Sequence, residues 1–410
     1  MTAEAREVDI VGLGAQGDGI AETAGERIYI PYALPGERWR FVDDGRPEML
    51  RPHPARATPV CPHFGSCGGC VAQHMPDALY VAWKRAIVAD AFGHRSIDAP
   101  IGDLVRVPLA SRRRITVYAR RDRKSVRLGF YRAATHYIMD IAECPIAEPQ
   151  LVAALPALRE MVEPLLTGQA EAGINMLATP AGVDVSIIFI YLGSVRQHYP
   201  RMVAVAAQHG FARLTVERDT LLLARQPVVA LGGVDVAVHP EAFMQAVEAS
   251  EREMVRLVLD ATAKAKRVAD LFCGIGTFTF PLARKARVLA VDDDADAIAA
   301  LSAAARRAQG LKPIETKMRD LFRMPLSAKE LEGFDAVVFD PARSGASAQA
   351  EQLARSKVPI VAAISCNPAT LARDARILVD GGYRLRGVTP IDQFLFSAHV
   401  EAVAVFERAG

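Results

Sequence analysis

No stretch of this 410-residue chain approaches the ~18 consecutive apolar residues that a membrane-spanning helix needs. The densest run, SIIFIYLG at 186–193, is too short. The opening MTAEAREVDI lacks the basic-then-apolar order of a secretory leader, so a cytoplasmic protein without membrane association is expected. No internal repeat and no low-complexity tract is present, which sets repeat architectures aside. Net charge is nearly absent: 49 basic against 47 acidic residues leave +2, which neither favours nor excludes a nucleic-acid partner. Cysteine is scarce as well. Six residues in a cytosolic chain of this size are read by their spacing rather than as disulfides.

What is present is a globular composition, 51% hydrophobic and 23% charged, with a length that suits two or three domains. Three textures follow one another. Residues 6–58 alternate turn signals with short β-like runs (VDIVGLG, GDGIAET, ERIYIPYA, ERWRFVD), the pattern of a small five-stranded antiparallel barrel; Pro52, Pro54 and Pro59 then mark a linker. A central region, 59–240, mixes a cysteine loop with αβ pieces. Between residues 106 and 132 it holds ten Lys or Arg and one acid, Asp122. Arg112, Arg113 and Arg114 on one side of ITVYA, and Arg120, Arg121, Arg123 and Lys124 on the other, form a ribbon suited to RNA phosphates. The bland alternative is a solvated hairpin. From 241 to 410 a helical pattern (EAFMQAVEASEREMVRLVLDA) leads into the apolar runs RVADLF, RVLAVD, FDAVVFD and VPIVAAIS. Such runs between helical segments read as a doubly wound parallel sheet.

Four features of that last region carry chemistry. In ADLFCGIGTFTFPLA, Gly274 and Gly276 allow a tight turn and close approach of a ligand, but Thr279 replaces the third glycine of a dinucleotide fingerprint, which leans away from NAD. Asp292, Asp320 and Asp340 fall at the ends of the next strands, where an acid can take ribose hydroxyls or meet an adenine edge; together with the loop they point to S-adenosylmethionine. Cys366, in AISCNPATLARD, sits at a strand tip in a polar setting and reads as a nucleophile; a buried core cysteine is the alternative. Addition of its thiolate to C6 of a uracil would make C5 nucleophilic toward a methyl donor, and a base must then remove the C5 proton. Glu401, near the C-terminus in HVEAVAVF, is the candidate base, with a solvated carboxylate as the alternative. In the central region, Cys61, Cys67 and Cys70 (CPHFGSCGGC) with Cys144 (AECP) offer four thiolates that suit a 4Fe–4S cluster or structural zinc. A single CxxC and the glycines at 65, 68 and 69 favour the cluster.

In these motifs the chain resembles the iron–sulfur-containing RNA uridine-C5 methyltransferases that modify 23S rRNA. GLGAQGDGIAE and ALPGE resemble a TRAM domain, an OB-like RNA-binding barrel. CPHFGSCGGC with Gln73 and His74, AECP, DLFCGIGTFTFPLA, DPARSG, SCNPATLARD and HVEAVAVF follow in the family's order. The resemblance implies a Rossmann-like methyltransferase domain (241–410), an N-terminal TRAM barrel (1–58) and a central α+β iron–sulfur domain (59–240). It implies Cys366 as nucleophile, Glu401 as base and a 4Fe–4S cluster on Cys61, Cys67, Cys70 and Cys144. It also implies donor contacts from Gln245, Phe272, Gly274, Gly276, Thr277, Asp292, Asp320 and Asp340. RNA is then the expected partner, with no obligate protein partner inferred. Thr277 stands where relatives have Asn or Ser, Ala342 where many have proline, and DQFLFSA (392–398) where DMFPHT is usual. Two rival enzymes fit less well: a cytosine-C5 enzyme would carry Pro-Cys at 341–342, and an adenine-N6 enzyme an aromatic residue in place of Arg343. An RNA-binding or redox-sensing protein with an inactive methylase fold is set against intact Asp340, Cys366 and Glu401.

Overall fold

The computed structural model describes residues 6–408 apart from 24, 42–46, 123–124 and 191–192. Of the basic ribbon, Arg123 and Lys124 therefore lie outside the described residues.

The C-terminal sheet has seven strands: Arg267–Leu271, Arg287–Asp292, Ile314–Met318, Ala336–Phe339, Ile360–Ser365, Tyr383–Ile391 and Glu401–Arg408. Counted in chain order within this sheet, they lie side by side as 3-2-1-4-5-7-6. The first five are parallel, and the last inserts antiparallel beside the fifth. Successive side chains on a strand point to opposite faces. Here both faces are covered, so both sets are apolar. Ala269, Leu271, Val337, Phe339, Val361 and Ala363 enter one core with the helices Ser347–Arg355 and Pro368–Asp380. Their neighbours Val268, Ala336, Val338, Ala362 and Ile364 enter another with Met254 and Val258 of the helix Glu248–Ala261. That is why the sequence shows unbroken apolar runs rather than alternation.

Two differences from the sequence reading concern element limits. The helical pattern expected from residue 241 starts only at Glu248. The preceding residues are held extended against the arginine triplet: Arg113 N donates to Ala246 O, its Nε donates to Gln245 O at 2.9 Å, and Arg112 bridges Val247. The N-terminal strands Arg6–Leu13, Gly19–Thr23, Glu26–Ile30, Arg38–Phe41 and Glu48–Arg51 are all antiparallel, as expected, but their order is open: the third and fifth stand at the edges, and no ladder joins them among the described residues.

The central sheet also has seven strands, from Arg114–Asp122 through Asp219–Leu223, backed by the helices Leu155–Val162 and Tyr199–Gln208. The helix Asp77–Gly93, which follows the cysteine loop, packs instead on the C-terminal body: Val88 and Phe92 lie in the same core as Leu371 and Phe406. The extended residues after it continue beside the sixth strand of that sheet through bridges Ile101–Val388 and Val105–Ile391.

Candidate active site

The antiparallel last strand brings the candidate site residues Cys366, Glu401 and Asp340 to one sheet end. In its register with the fifth strand, Ser365 faces Ala402. The ladder ends there; Cys366 directly follows Ser365 and Glu401 directly precedes Ala402, so both fall at this sheet end, where the Glu401 charge acts on the Cys366 thiol. On the fifth strand's other side, Phe339 faces Ala363, which sets Asp340 at the same sheet end. Cys366 leaves its strand sharply because Asn367 caps the next helix, its Oδ1 accepting from Ala369 N, with Pro368 at the first turn.

Glu401 is 2% exposed. Its Oε2 accepts from Gln393 Nε2 at 3.0 Å, and Oε1 has no partner. The same Nε2 donates to Gln245 Oε1 at 2.8 Å, and Gln245 Nε2 donates to Asp340 Oδ2 at 2.7 Å. Burial pushes the Asp340 and Glu401 carboxyls above the usual range, and each negative charge opposes the other. Cys366 is pushed up to about 11 by burial, then by Glu401 and Asp340; Arg343 works the other way. Cys366 is thus a thiol at rest in this environment, and positive charge entering the site favours its thiolate.

The glycine turn occupies the switch point where the first strand lies between the second and the fourth. Phe272 takes a left-handed φ of 59°, a strained setting for an aromatic residue that recurs at functional sites. Gly276 has φ +104°, and a Cβ there would meet the Phe280 ring at 2.6 Å. Gly274 N donates to Asp292 Oδ2 at 2.7 Å, so the turn and the second strand's terminal acid are one unit. Thr279, at the missing third glycine, donates through Oγ1 to buried Asp270 at 2.5 Å. Burial pushes Asp270 up to about 7. Asp320 closes a turn by accepting from Phe322 N and Arg323 N, and Phe322 packs its half-exposed ring 5.1 Å from Phe272. Thr277 is half-buried at the mouth of the turn.

Reading along the sequence missed the parts that hold this assembly. Gln393 is one. Lys84 is another: its ammonium lies 2.9 Å from Asp392 Oδ1 and donates to the carbonyls of His399 and Phe394 at 2.7 and 3.1 Å. The Tyr80 hydroxyl donates to Asp392 Oδ2 and accepts from Phe396 N. The segment from Asp392 to His399 is thereby fastened to the helix that follows the cysteine loop.

Cys61, Cys67, Cys70 and Cys144 line one cavity of about 290 Å³, together with Arg112 and Phe130. Burial pushes the Cys67, Cys70 and Cys144 thiols up, and the cysteines reinforce this on one another. Among the described residues no three His, Cys, Asp or Glu side chains converge closely enough to hold a single metal ion. The wall of this cavity touches the segment from Asp392 to His399: Val71 N and Ala72 N, directly after Cys70, both donate to Phe396 O.

The basic ribbon is largely consumed internally. Arg113 is buried against Glu251 at 2.6 Å. Arg114 lies over the Phe243 ring and Arg112 over Phe394. Arg120 pairs with Glu171, Arg121 donates to the carbonyls of Leu166 and Glu163, and Arg127 pairs with Asp122. Arg132 is exposed and has no acidic partner among the described residues. Among the described residues of the ribbon, most of these side chains thus have partners within the protein.

A doubly wound sheet with a ligand turn at its switch point, and a thiol and a carboxyl gathered at one sheet end, is the architecture of a nucleotide-cofactor enzyme of the methyltransferase type. Residues 236–409 match the family model described as tRNA (Uracil-5-)-methyltransferase. An uncharacterised RNA methyltransferase of Brucella suis is 45% identical over 407 residues, covering 98% of either chain. A 23S rRNA (uracil(1939)-C(5))-methyltransferase of Pectobacterium atrosepticum is 29% identical, covering 97% of this chain and 93% of its own. The fold is similar to that of the Pyrococcus abyssi tRNA (uracil-54, C5)-methyltransferase solved with S-adenosyl-L-homocysteine, with TM-score 0.75, 22% identity and coverage of 98% and 99%. The chain belongs to the RNA (uracil-5-)-methyltransferase family and is an S-adenosylmethionine-dependent enzyme.

Proposed function

We propose that the protein methylates C5 of a uridine in 23S rRNA, with Cys366 as nucleophile and Glu401 as base. The observation that carries this is that Cys366 and Glu401 flank the last pair of the antiparallel ladder, Ser365–Ala402, with Asp340 at the same sheet end. S-adenosylmethionine supplies an electrophilic methyl on a cationic sulfur. Gln245, Phe272, Gly274, Gly276, Thr277, Asp292, Asp320 and Asp340 are the residues assigned to it. Cys366, after releasing its thiol proton to solvent, forms a bond from Sγ to C6, and the C5–C6 π electrons move toward C5. C5 then bonds the methyl carbon, while the methyl–sulfur bond breaks with its electron pair staying on sulfur. Glu401 takes the C5 proton; the C5–H pair restores C5=C6, and the Cys366–C6 bond breaks to return the thiolate.

Ribosomal RNA is favoured as substrate by the Pectobacterium relative's name, and cytoplasmic location by the same reading. Residues 1–58 are assigned to RNA binding as a TRAM-like module, 59–240 to a cysteine-centred module and 241–410 to catalysis. The four cysteines are assigned to a 4Fe–4S cluster. They line one cavity, and the single CxxC with the glycines at 65, 68 and 69 favours the cluster over zinc. The cluster would be held by these thiolates and has no step in methyl transfer.

The test separates the two catalytic residues. Cys366→Ala is expected neither to methylate transcribed 23S RNA nor to trap it. Glu401→Gln is expected to accumulate a covalent protein–RNA adduct on denaturing gels, since losing a general base slows a step by ~100- to 10,000-fold. Near-normal turnover by Cys366→Ala would overturn the mechanism; wild-type product release by Glu401→Gln would reassign the base.

A further inference from the structure

We propose that Gln393 is a positioning residue that joins the donor site to the catalytic base, orienting Gln245 and holding Glu401 ready to accept the C5 proton. This rests on the reading of Glu401 as base. The chain carries glutamine here where the motif of the family it resembles usually has methionine, and the structure shows all of its polar atoms in use. Its Oε1 accepts from Val247 N at 3.4 Å, which directs the Nε2 amide group toward Glu401 and Gln245. That group donates to Glu401 Oε2 at 3.0 Å and to Gln245 Oε1 at 2.8 Å. Gln245 must then turn its own amide nitrogen to Asp340, which it reaches at 2.7 Å. One chain of amides therefore runs Val247, Gln393, Gln245, Asp340, with Glu401 as a branch. Gln393 is 3% exposed, so water does not substitute for any of these bonds without repacking.

The consequence for Glu401 has a definite sign. The titratable and charged groups facing it are Asp340 from the fourth strand's end and Cys366 from the fifth, with Arg343 beyond Cys366. Burial and then Asp340 favour the protonated carboxyl, and the Gln393 amide stabilises the carboxylate directly. Removing that donor shifts Glu401 further toward its acid form, which cannot take the C5 proton.

The experiment uses full-length protein, target-bearing RNA and S-adenosylhomocysteine as the donor-site probe. Gln393→Met preserves volume, and its thermal melting is compared with that of wild type. Single-turnover kinetics resolve adduct formation from adduct release across pH 5.5–9. The expected result is near-normal adduct formation, release slowed by about ten- to a hundred-fold at neutral pH, and an acid limb of the release profile moved to higher pH. Affinity for S-adenosylhomocysteine falls by about three- to ten-fold because Gln245 loses its orientation. Gln393→Glu, which keeps the length but replaces the donating amide by an acceptor, is expected to slow release at least as much. Release with the wild-type pH profile in both variants, at unchanged S-adenosylhomocysteine affinity, would overturn the proposal while leaving Glu401 as base. Wild-type release by Glu401→Gln would instead remove the underlying reading, and the proposal with it.

Discussion

Replacing Lys84 by methionine is expected to cost ~3–5 kcal/mol of stability, the usual consequence of stranding one partner of a buried ion pair. The structure supplies the reasons. Lys84 Nζ and Asp392 Oδ1 are 2.9 Å apart, and both side chains are 0% exposed. At an effective dielectric of about 20 their attraction is ~6 kcal/mol, most of it spent against the desolvation of both groups. Methionine fills the volume, so no cavity adds to the cost. It forfeits the attraction and the two bonds to Phe394 and His399 carbonyls, and leaves Asp392 desolvated with the Tyr80 hydroxyl as its remaining donor. In Lys84→Met/Asp392→Asn the stranded charge is gone, and the expected cost drops to ~1–2 kcal/mol. The coupling energy is then ~2 kcal/mol or more. Urea unfolding of the full chain, followed by tryptophan fluorescence, reads this locally, because Lys84 Nζ lies 5.8 Å from the Trp83 ring. A single-variant cost below ~1 kcal/mol, or a double variant whose cost equals the sum of the singles, would refute the reasoning.

Arg113→Ala is expected to cost ~3–5 kcal/mol by stranding Glu251, with the salt dependence of RNA affinity unchanged. Arg132→Ala should instead leave stability unchanged and lower the log–log salt slope by about one unit; the reverse pattern in filter binding would restore the arginine triplet as a phosphate contact. Gly276→Ala places a Cβ 2.6 Å from Phe280 at φ +104°, so S-adenosylhomocysteine affinity should collapse and stability fall by ~2–4 kcal/mol; calorimetry showing wild-type affinity would contradict the assigned donor turn. Anaerobically purified protein should be brown with about four irons per chain, and Cys61→Ser or Cys144→Ser should lose them. Stoichiometric zinc without iron in the wild type would replace the cluster by a zinc site.

Much of this protein was legible residue by residue because it depends on local rules. The strands of the C-terminal sheet show as apolar runs because both faces are covered, the glycine turn shows because Gly274 and Gly276 sit at positive φ, and Asp292 and Asp340 show because one ends a strand and the other directly follows one. Even the motif order that marks the family is a one-dimensional property. The tertiary structure decided which of these residues meet. An antiparallel strand inserted at the end of the chain brings Cys366 and Glu401 to one sheet end, and no spacing between them could have announced it. Lys84 looks like an ordinary helical lysine until its helix packs against the segment from Asp392 to His399 and buries the ammonium. Gln393 looks like a departure from a motif until its amide is found between Gln245 and Glu401. The arginines gave the opposite lesson: their charge is written in the sequence, but packing turned Arg113 and Arg121 inward to partners supplied by distant helices and loops. Charge and backbone preference belong to a residue and its near neighbours, whereas a partner within hydrogen-bond reach exists only once the chain has closed on itself.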